Sequence, residues 1–369
     1  MLGNNVLGIL FAYVHEERVR DLTEMRVMAS VPYGGRYRLV DFALSNMVNS
    51  GLNKVGIITE ANYQSLMDHL GSGKAWDLSR KREGLYLLPP FGKTMSRTDG
   101  KIESLDSIRR FLKNSLEEYG LLSDCDTVCN IDYREAISQH IRTEADITVI
   151  YRHGDSPDVE RNTVYTLDPA GRIREMLIHR GSERDVNYGM GMYIVGREKL
   201  LELVEGCMSR NEYDLDRDLM RAVHELKVMG FEFTGTAYQI ASFEAYFEAN
   251  MALMEPKIRA ELFNSNRPIY TKVRDDMPAK YGLNSSVSNS LIADGCVIDG
   301  EVENCVLFRG VKIGKGAKVR NCVIMQDSVI GENSRLDYVV ADKNVEVEAN
   351  RTLMGYQTYP VFIAKESKV

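Results

Sequence analysis

The chain has 369 residues, 44% of them hydrophobic and 27% charged, which is the balance of an ordinary soluble globular protein and more length than one hydrophobic core usually organises. A net charge of −7 excludes the basic footprint that duplex nucleic acid or an anionic membrane demands. The six cysteines form no CxxC pair and have no nearby histidine, so buried free thiols are expected, and with no long apolar span or leader pattern the expected location is the cytoplasm.

Up to about residue 255, short apolar runs alternate with helical patterns. The patterning predicts strands near residues 6–11, 55–60, 119–123, 147–152, 163–167, 173–178 and 189–196. It predicts helices near 38–49, 63–70, 104–118, 133–143, 198–207, 215–226 and 242–254. Such alternation implies crossover units around a mostly parallel sheet, with ligands at the carboxyl ends of the strands. The loop after the first run, Ala12-Tyr13-Val14-His15-Glu16-Glu17-Arg18, lies at such an end and contains no glycine.

Residues 256–284 carry Pro256, Pro268 and Pro278 together with Ile269, Tyr270 and Tyr281, and read as an ordered connector. From 285 to 369 the period changes. Apolar residues recur every five or six positions at Val302, Leu307, Ile313, Val319, Ile324, Ile330, Leu336, Ala341, Val347 and Leu353, which sums to a 17-residue coil. Asn304-Cys305-Val306 recurs as Asn321-Cys322-Val323 in the same register. This pattern marks a three-sided parallel β-helix of hexapeptide repeats. All six histidines precede residue 225, so the repeat offers no histidine base for acyl transfer and is expected to serve packing and assembly.

Two motifs carry a more specific resemblance: Val31-Pro32-Tyr33-Gly34-Gly35-Arg36-Tyr37-Arg38-Leu39-Val40-Asp41-Phe42 with Ser45-Asn46 and Asn49-Ser50-Gly51, and Asn289-Ser290-Leu291-Ile292-Ala293-Asp294-Gly295-Cys296. Matches at Leu66 to Leu70 with Gly73 and Trp76, at Ile131-Asp132-Tyr133, at Met190 to Val195 and at Glu248 to Met251 extend it over essentially the whole chain. In these the chain resembles the glucose-1-phosphate adenylyltransferase (ADP-glucose pyrophosphorylase) family. The resemblance implies an α/β, Rossmann-like nucleotidyltransferase (GT-A-like) mixed-sheet domain over 1–255, a connector over 256–284 and a left-handed β-helix over 285–369. It also implies transfer of AMP from ATP to glucose 1-phosphate, with Mg²⁺ and release of diphosphate.

The residues expected to do this chemistry are altered. Where catalytic members of the family have a glycine-rich loop whose backbone N–H groups wrap a triphosphate, this chain has Tyr13-Val14 and Glu16-Glu17, and only Arg18 matches. Carboxylates beside a polyphosphate repel it by about 1–3 kcal/mol each at intermediate effective dielectric. The family's Lys-Pro becomes Met28-Ala29, removing a cation that would neutralise the transferring phosphoryl group. Its Gly-Thr-Ala-Asp-Ala falls on Glu103 to Ser107. Of its two metal-binding aspartates one aligns with Asp126 and the other with Gln239, and an amide brings no charge to Mg²⁺. Ile178 replaces the glutamate of the sugar-phosphate motif, followed by His179-Arg180.

No catalytic residue and no metal site are therefore assigned to this chain, with Glu16, Glu17, Met28, Asp126, Ile178 and Gln239 as the degenerate positions. Arg18, Arg36, Arg38, His179 and Arg180 are candidates for residual anion or sugar-phosphate binding, although Arg36 and Arg38 read equally as surface or interface arginines. Asp126 reads equally as a strand-end turn residue, and Asp41 as an acid paired to one of the two arginines. The pattern resembles the regulatory, GlgD-type subunit of the family, little active alone, without a cofactor of its own, and joined in a heterotetramer to a catalytic subunit that binds Mg²⁺ and ATP. A sugar-phosphate effector is a possible ligand. A weakly active adenylyltransferase and a purely structural assembly subunit are the alternatives.

Overall fold

The computed structural model describes residues 2–14, 18–80, 83–89, 100–159 and 161–369. The Val6–Phe11 strand is apolar at all positions but Gly8 and buried at every one, as a parallel strand covered on both faces must be. Val6 and Leu10 enter one core cluster, while Leu7, Ile9 and Phe11 enter another on the opposite face. It pairs in parallel with Lys54–Ile58 on one side and Tyr119–Asp124 on the other. These strands belong to a nine-stranded mixed sheet in which Val186–Gly196 runs antiparallel to both Tyr119–Asp124 and Ile147–Gly154.

Besides the short hairpin of Pro32–Tyr33 with Tyr37–Arg38, four strands of the first domain escaped the sequence patterning: Gly84–Leu88, Thr127–Cys129, Val228–Glu232 and Ala237–Gln239. Each is five residues or shorter and is defined by long-range pairing rather than by alternation. The helix expected over 104–118 is two short pieces, Lys101–Ser107 and Arg109–Lys113. The second stops at Asn114-Ser115, where Ser115 Oγ donates to the Phe111 carbonyl and competes with helix continuation.

The repeat region forms three five-stranded parallel sheets. The 17-residue coil is observed as expected: Val302 pairs with Val319, Val319 with Leu336 and Leu336 with Leu353, and the other two sides repeat the pattern. Two irregularities were not foreseen. One early turn is shorter, with Ile292 opposite Leu307, and the last is longer, with Ala341 opposite Ile363, because a hairpin closed between Tyr356 and Tyr359 is inserted. The first strand, Lys280–Tyr281, lies inside the segment read as connector, which also contains the helix Pro256–Leu262. Asn289, Asn304 and Asn321 turn the corners with positive φ, and their side chains bond in a ladder that ends on Asp337.

One face of the β-helix is apolar inside and outside. Leu307, Ile324 and Ala341 fill its interior, while Val306, Phe308, Val323, Met325 and Val340 pack against Tyr33, Phe42, Tyr246 and Leu253 of the first domain. Arg26 and Asp342 form a doubly hydrogen-bonded pair, 2.8 and 2.9 Å, across this junction, and both are almost wholly buried. All six cysteines are buried and free. Among the described residues no helix is long and apolar enough to cross a membrane.

Candidate functional site

Phe11 and Asp124 lie opposite each other at the carboxyl ends of two adjacent parallel strands, where an α/β sheet offers its ligand crevice. Among the described residues, a lysine and a carboxylate pair here. Lys101, the first residue of its helix, places Nζ 2.8 Å from Asp124 Oδ2 and 5.5 Å from the ring centroids of both Phe11 and Tyr193. Burial opposes the charge on Lys101, but Asp124, then Asp216 and Asp126, outweigh it and hold the ammonium above its usual range. Gly191, at φ +67°, leaves room for the Asp124 carboxylate, since a Cβ there would lie 2.2 Å from Oδ2. Tyr13 closes the same corner by hydrogen bonding to Ser104 and meeting Phe11 edge-on. The alignment of Glu103 to Ser107 with the nucleoside motif pointed to this helix, but Lys101 and Asp124 were missed because only the fold brings them together.

The two positions aligned with metal-binding aspartates do meet. Thr127–Cys129 pairs antiparallel with Ala237–Gln239, which puts Gln239 opposite Thr127. Gln239 Nε2 then donates to Asp126 Oδ2 and Thr127 Oγ1 to Asp126 Oδ1, both at 3.0 Å, and Asp126 is fully buried. A single carboxylate with both oxygens already bonded does not fit Mg²⁺, which wants open oxygen ligands in octahedral array.

Met28 is buried in an apolar cluster with Val19, Leu22 and Val31, so the aligned lysine position is core here. Glu16 and Glu17 lie outside the described residues. Arg18 is exposed, donates to the Asp158 carbonyl at 3.0 Å and lines a cleft of about 670 Å³. Gln239 and Tyr238 line it too, with Arg152 facing Asp155, Asp158, Glu244 and Glu248, so acids outnumber arginines. Ile178 sits on an outer strand opposite Thr163, and His179, 3.7 Å from Glu183, and Arg180 line neither this cleft nor the pocket described next.

Arg36 and Arg38 lead to a second pocket of about 310 Å³ at the domain junction. It gathers Lys272 and Arg274 from the connector and Arg309 and Lys343 from the β-helix, against Asp68 and Asp327. Arg309 is 4% exposed, its Nε has no hydrogen-bond partner, and its nearest acid, Asp276, is 3.7 Å away. Burial, the like charge of Arg36 and that of Arg274 lower its pKa, with Asp276 opposing. Arg38 is held by the carbonyl and hydroxyl of Ser65, and desolvation lowers its pKa to about 10. Asp41 differs from its expected role: it accepts from the Arg38 backbone N–H and bonds His69 Nε2 at 2.6 Å, so its side-chain partner is a histidine. Arg309 is buried and Arg38 and Lys343 are half-buried, while Arg36, Lys272 and Arg274 are exposed, so the repulsion among the six is least screened around Arg309, where an anion would relieve it.

The nucleotidyl transferase family model matches residues 15–255, and the GlmU-like C-terminal hexapeptide model matches 277–358. The glycogen biosynthesis protein GlgD of Bacillus subtilis (strain 168) is 34% identical over 366 residues, 99% of this chain and 97% of that protein. GlgD of Geobacillus stearothermophilus is 38% identical over 321 residues, 86% and 84% of the two chains. The glucose-1-phosphate adenylyltransferase of Thermotoga maritima is 34% identical over 326 residues, 86% and 77%.

Proposed function

The chain belongs to the nucleotidyl transferase family, among the GlgD glycogen biosynthesis proteins related to glucose-1-phosphate adenylyltransferase, and from that premise we propose that it is a regulatory subunit which forms little or no ADP-glucose itself. It acts in the cytoplasm by joining a catalytic adenylyltransferase subunit, in a heterotetramer, and setting that subunit's response to an anionic effector such as a sugar phosphate. Mg²⁺ and ATP belong to the catalytic partner.

The observation that carries this reading is a redistribution of charge. The strand-end crevice carries the Lys101–Asp124 pair and the Gln239–Asp126 bond, while the pocket at the junction is lined by six cations, Arg309 among them. A chain built to turn over ATP needs donors and a metal in the first place; a chain built to sense an anion needs them in the second. The test is ADP-glucose formation by the purified chain, by its catalytic partner and by the mixture. The expected outcome is near-background turnover alone and a raised or effector-shifted rate on mixing. Robust turnover by the lone chain, abolished by Asp126→Ala, refutes it.

A further inference from the structure

We propose that the turn joining the helices Arg197–Ser209 and Leu215–Ala222 holds a zinc-type divalent cation on Cys207 Sγ and the carboxylates of Glu212 and Asp218. None of the three lines the acidic cleft or the junction pocket.

The turn is what brings the three groups together. After Ser209 the chain folds back over the helix end: the backbone N–H groups of Arg210 and Glu212 donate to the Cys207 carbonyl at 3.0 and 2.9 Å, with Asn211 at φ +57°. Asp214 caps the next helix by accepting from the Arg217 N–H, and Leu215 and Leu219 pack in one cluster with Leu200, Val204 and Cys207. As a result the ligating atoms of Cys207, Glu212 and Asp218 all lie within 4.8 Å of one another. Zinc binds thiolate sulfur at about 2.3 Å and carboxylate oxygen at about 2.0–2.2 Å, so its ligand atoms stand about 3.3–3.6 Å apart in a tetrahedral site. A contraction of about 1 Å around the ion is all that is required.

The observation that asks for a cation is at Asp218. It is 8% exposed, and its Oδ2 has no hydrogen-bond partner. A buried carboxylate oxygen left in that state is costly until a positive charge or a donor meets it. Glu212 is held differently, with Oε2 accepting from Arg210 Nε at 2.7 Å and Oε1 from Arg221 at 2.5 Å. Each of these oxygens keeps a second lone pair, and the two guanidinium groups orient the carboxylate as outer partners orient a metal ligand. Arg210 also stands 3.7 Å from Cys207 Sγ, where it can donate to a thiolate. With the thiol ionised, three negative charges face two positive ones, so the site still attracts a divalent ion.

One sulfur and two oxygens suit a borderline ion such as Zn²⁺ better than Mg²⁺ or Ca²⁺, and three protein ligands leave a fourth position for water. The thiol proton passes to solvent as the metal–sulfur bond forms. The set contains one cysteine and no histidine, so cysteine spacing could not reveal it. A bound ion would also staple the segment that covers the start of the Lys101 helix, where the Tyr213 carbonyl accepts from the Ile102 N–H at 3.1 Å and Asp216 accepts from the Tyr193 hydroxyl.

The test is a titration of the full chain, stripped with a chelator, with Co²⁺, whose thiolate-to-metal charge transfer is read in the near ultraviolet. The expected result is one Co²⁺ per chain, with that band and the visible bands of four-coordination, all abolished by Zn²⁺. Cys207→Ser loses the near-ultraviolet band, and Asp218→Asn weakens binding by more than the about tenfold that loss of an outer partner costs. Both variants are checked for folding by circular dichroism. Zn²⁺ raises the unfolding midpoint of the unmodified chain and leaves that of Cys207→Ser unchanged. The absence of a thiolate band in the unmodified chain with excess Co²⁺ overturns the proposal without recourse to any variant. A band that survives Cys207→Ser, or an affinity indifferent to Asp218→Asn, overturns the ligand set.

Discussion

Lys101→Met isolates the charge that pairs with Asp124 in the strand-end crevice. Methionine keeps most of the aliphatic stem packed between Phe11 and Tyr193, so what the substitution removes is the 2.8 Å contact to Asp124, a carboxylate only 4% exposed. Removing one partner of a buried pair weakens the compensation of the other charge and costs up to about 3–5 kcal/mol. Asp124→Asn keeps the shape and leaves the ammonium with Asp216 and Asp126 in reach, so a smaller loss of about 2 kcal/mol is expected. The double variant has no stranded charge and should lose about 1–3 kcal/mol, the cost of an imperfectly bonded amide, well short of the sum of the singles. Urea unfolding of the four proteins at pH 7.5 gives the coupling energy directly. Singles that each cost under about 1 kcal/mol and add without coupling would mean that the pair is solvated.

Two further perturbations test the remaining electrostatics. Gln239→Asp puts a second carboxylate, one methylene shorter than the amide it replaces, about 4–5 Å from Asp126, raising the pKa of one of them above its unfolded value, so stability falls as pH rises through that window, with a loss of about 1–3 kcal/mol at neutral pH and less near pH 5. Millimolar Mn²⁺ or Mg²⁺ should recover part of it in the variant and do nothing for the unmodified chain, and an unfolding midpoint indifferent to both pH and metal refutes the paired geometry. Lys343→Met removes a lysine whose folded pKa is about 7 against an unfolded value of about 10.4; the unfolded chain binds more protons between these values, so the native chain gains stability as pH rises from about 7 and the variant does not. The variant should therefore be more stable by about 2 kcal/mol near pH 6, after allowance for partial exposure, with the difference gone near pH 10; a difference that grows with pH is incompatible with a buried, depressed lysine.

The β-helix was legible because its determinants are local and periodic: one inward apolar residue per side, as Val302, Val319, Leu336 and Leu353 show, needs no knowledge of distant partners. The central parallel strands were legible for a similar reason, since a run such as Val6 to Phe11 is apolar on both faces. Thr127–Cys129 and Ala237–Gln239 were not, because each exists only by pairing with the other across more than a hundred residues. The site divides along the same line. Motif positions such as Asp126 and Gln239 could be aligned, and they meet. Lys101 carries no motif, and its role comes from where its helix starts relative to Asp124. Lys343 and Arg309 belong to coils that read as structural repeat, and become a binding surface only when that face docks on the first domain.

That docking gives the β-helix a second task. The apolar outer face of Val306, Val323 and Val340 fixes the coils against the first domain, and the same contact brings Arg309 and Lys343 up to Arg36 and Arg38. The pocket therefore exists only while the junction is closed, and the Arg26–Asp342 pair crosses the same junction with both charges buried. Because an occupant is bound only by the closed arrangement, its binding energy also holds the junction together. Arg26, Met28 and the hairpin of Pro32–Tyr33 with Tyr37–Arg38, whose turn contains Arg36, all follow within one stretch from the loop after the Val6–Phe11 strand. The junction is thus connected through continuous covalent structure to the strand-end crevice where Lys101 and Asp124 pair. On the proposed function, the energy of binding at the junction acts on the surface that this domain pair presents to a catalytic subunit.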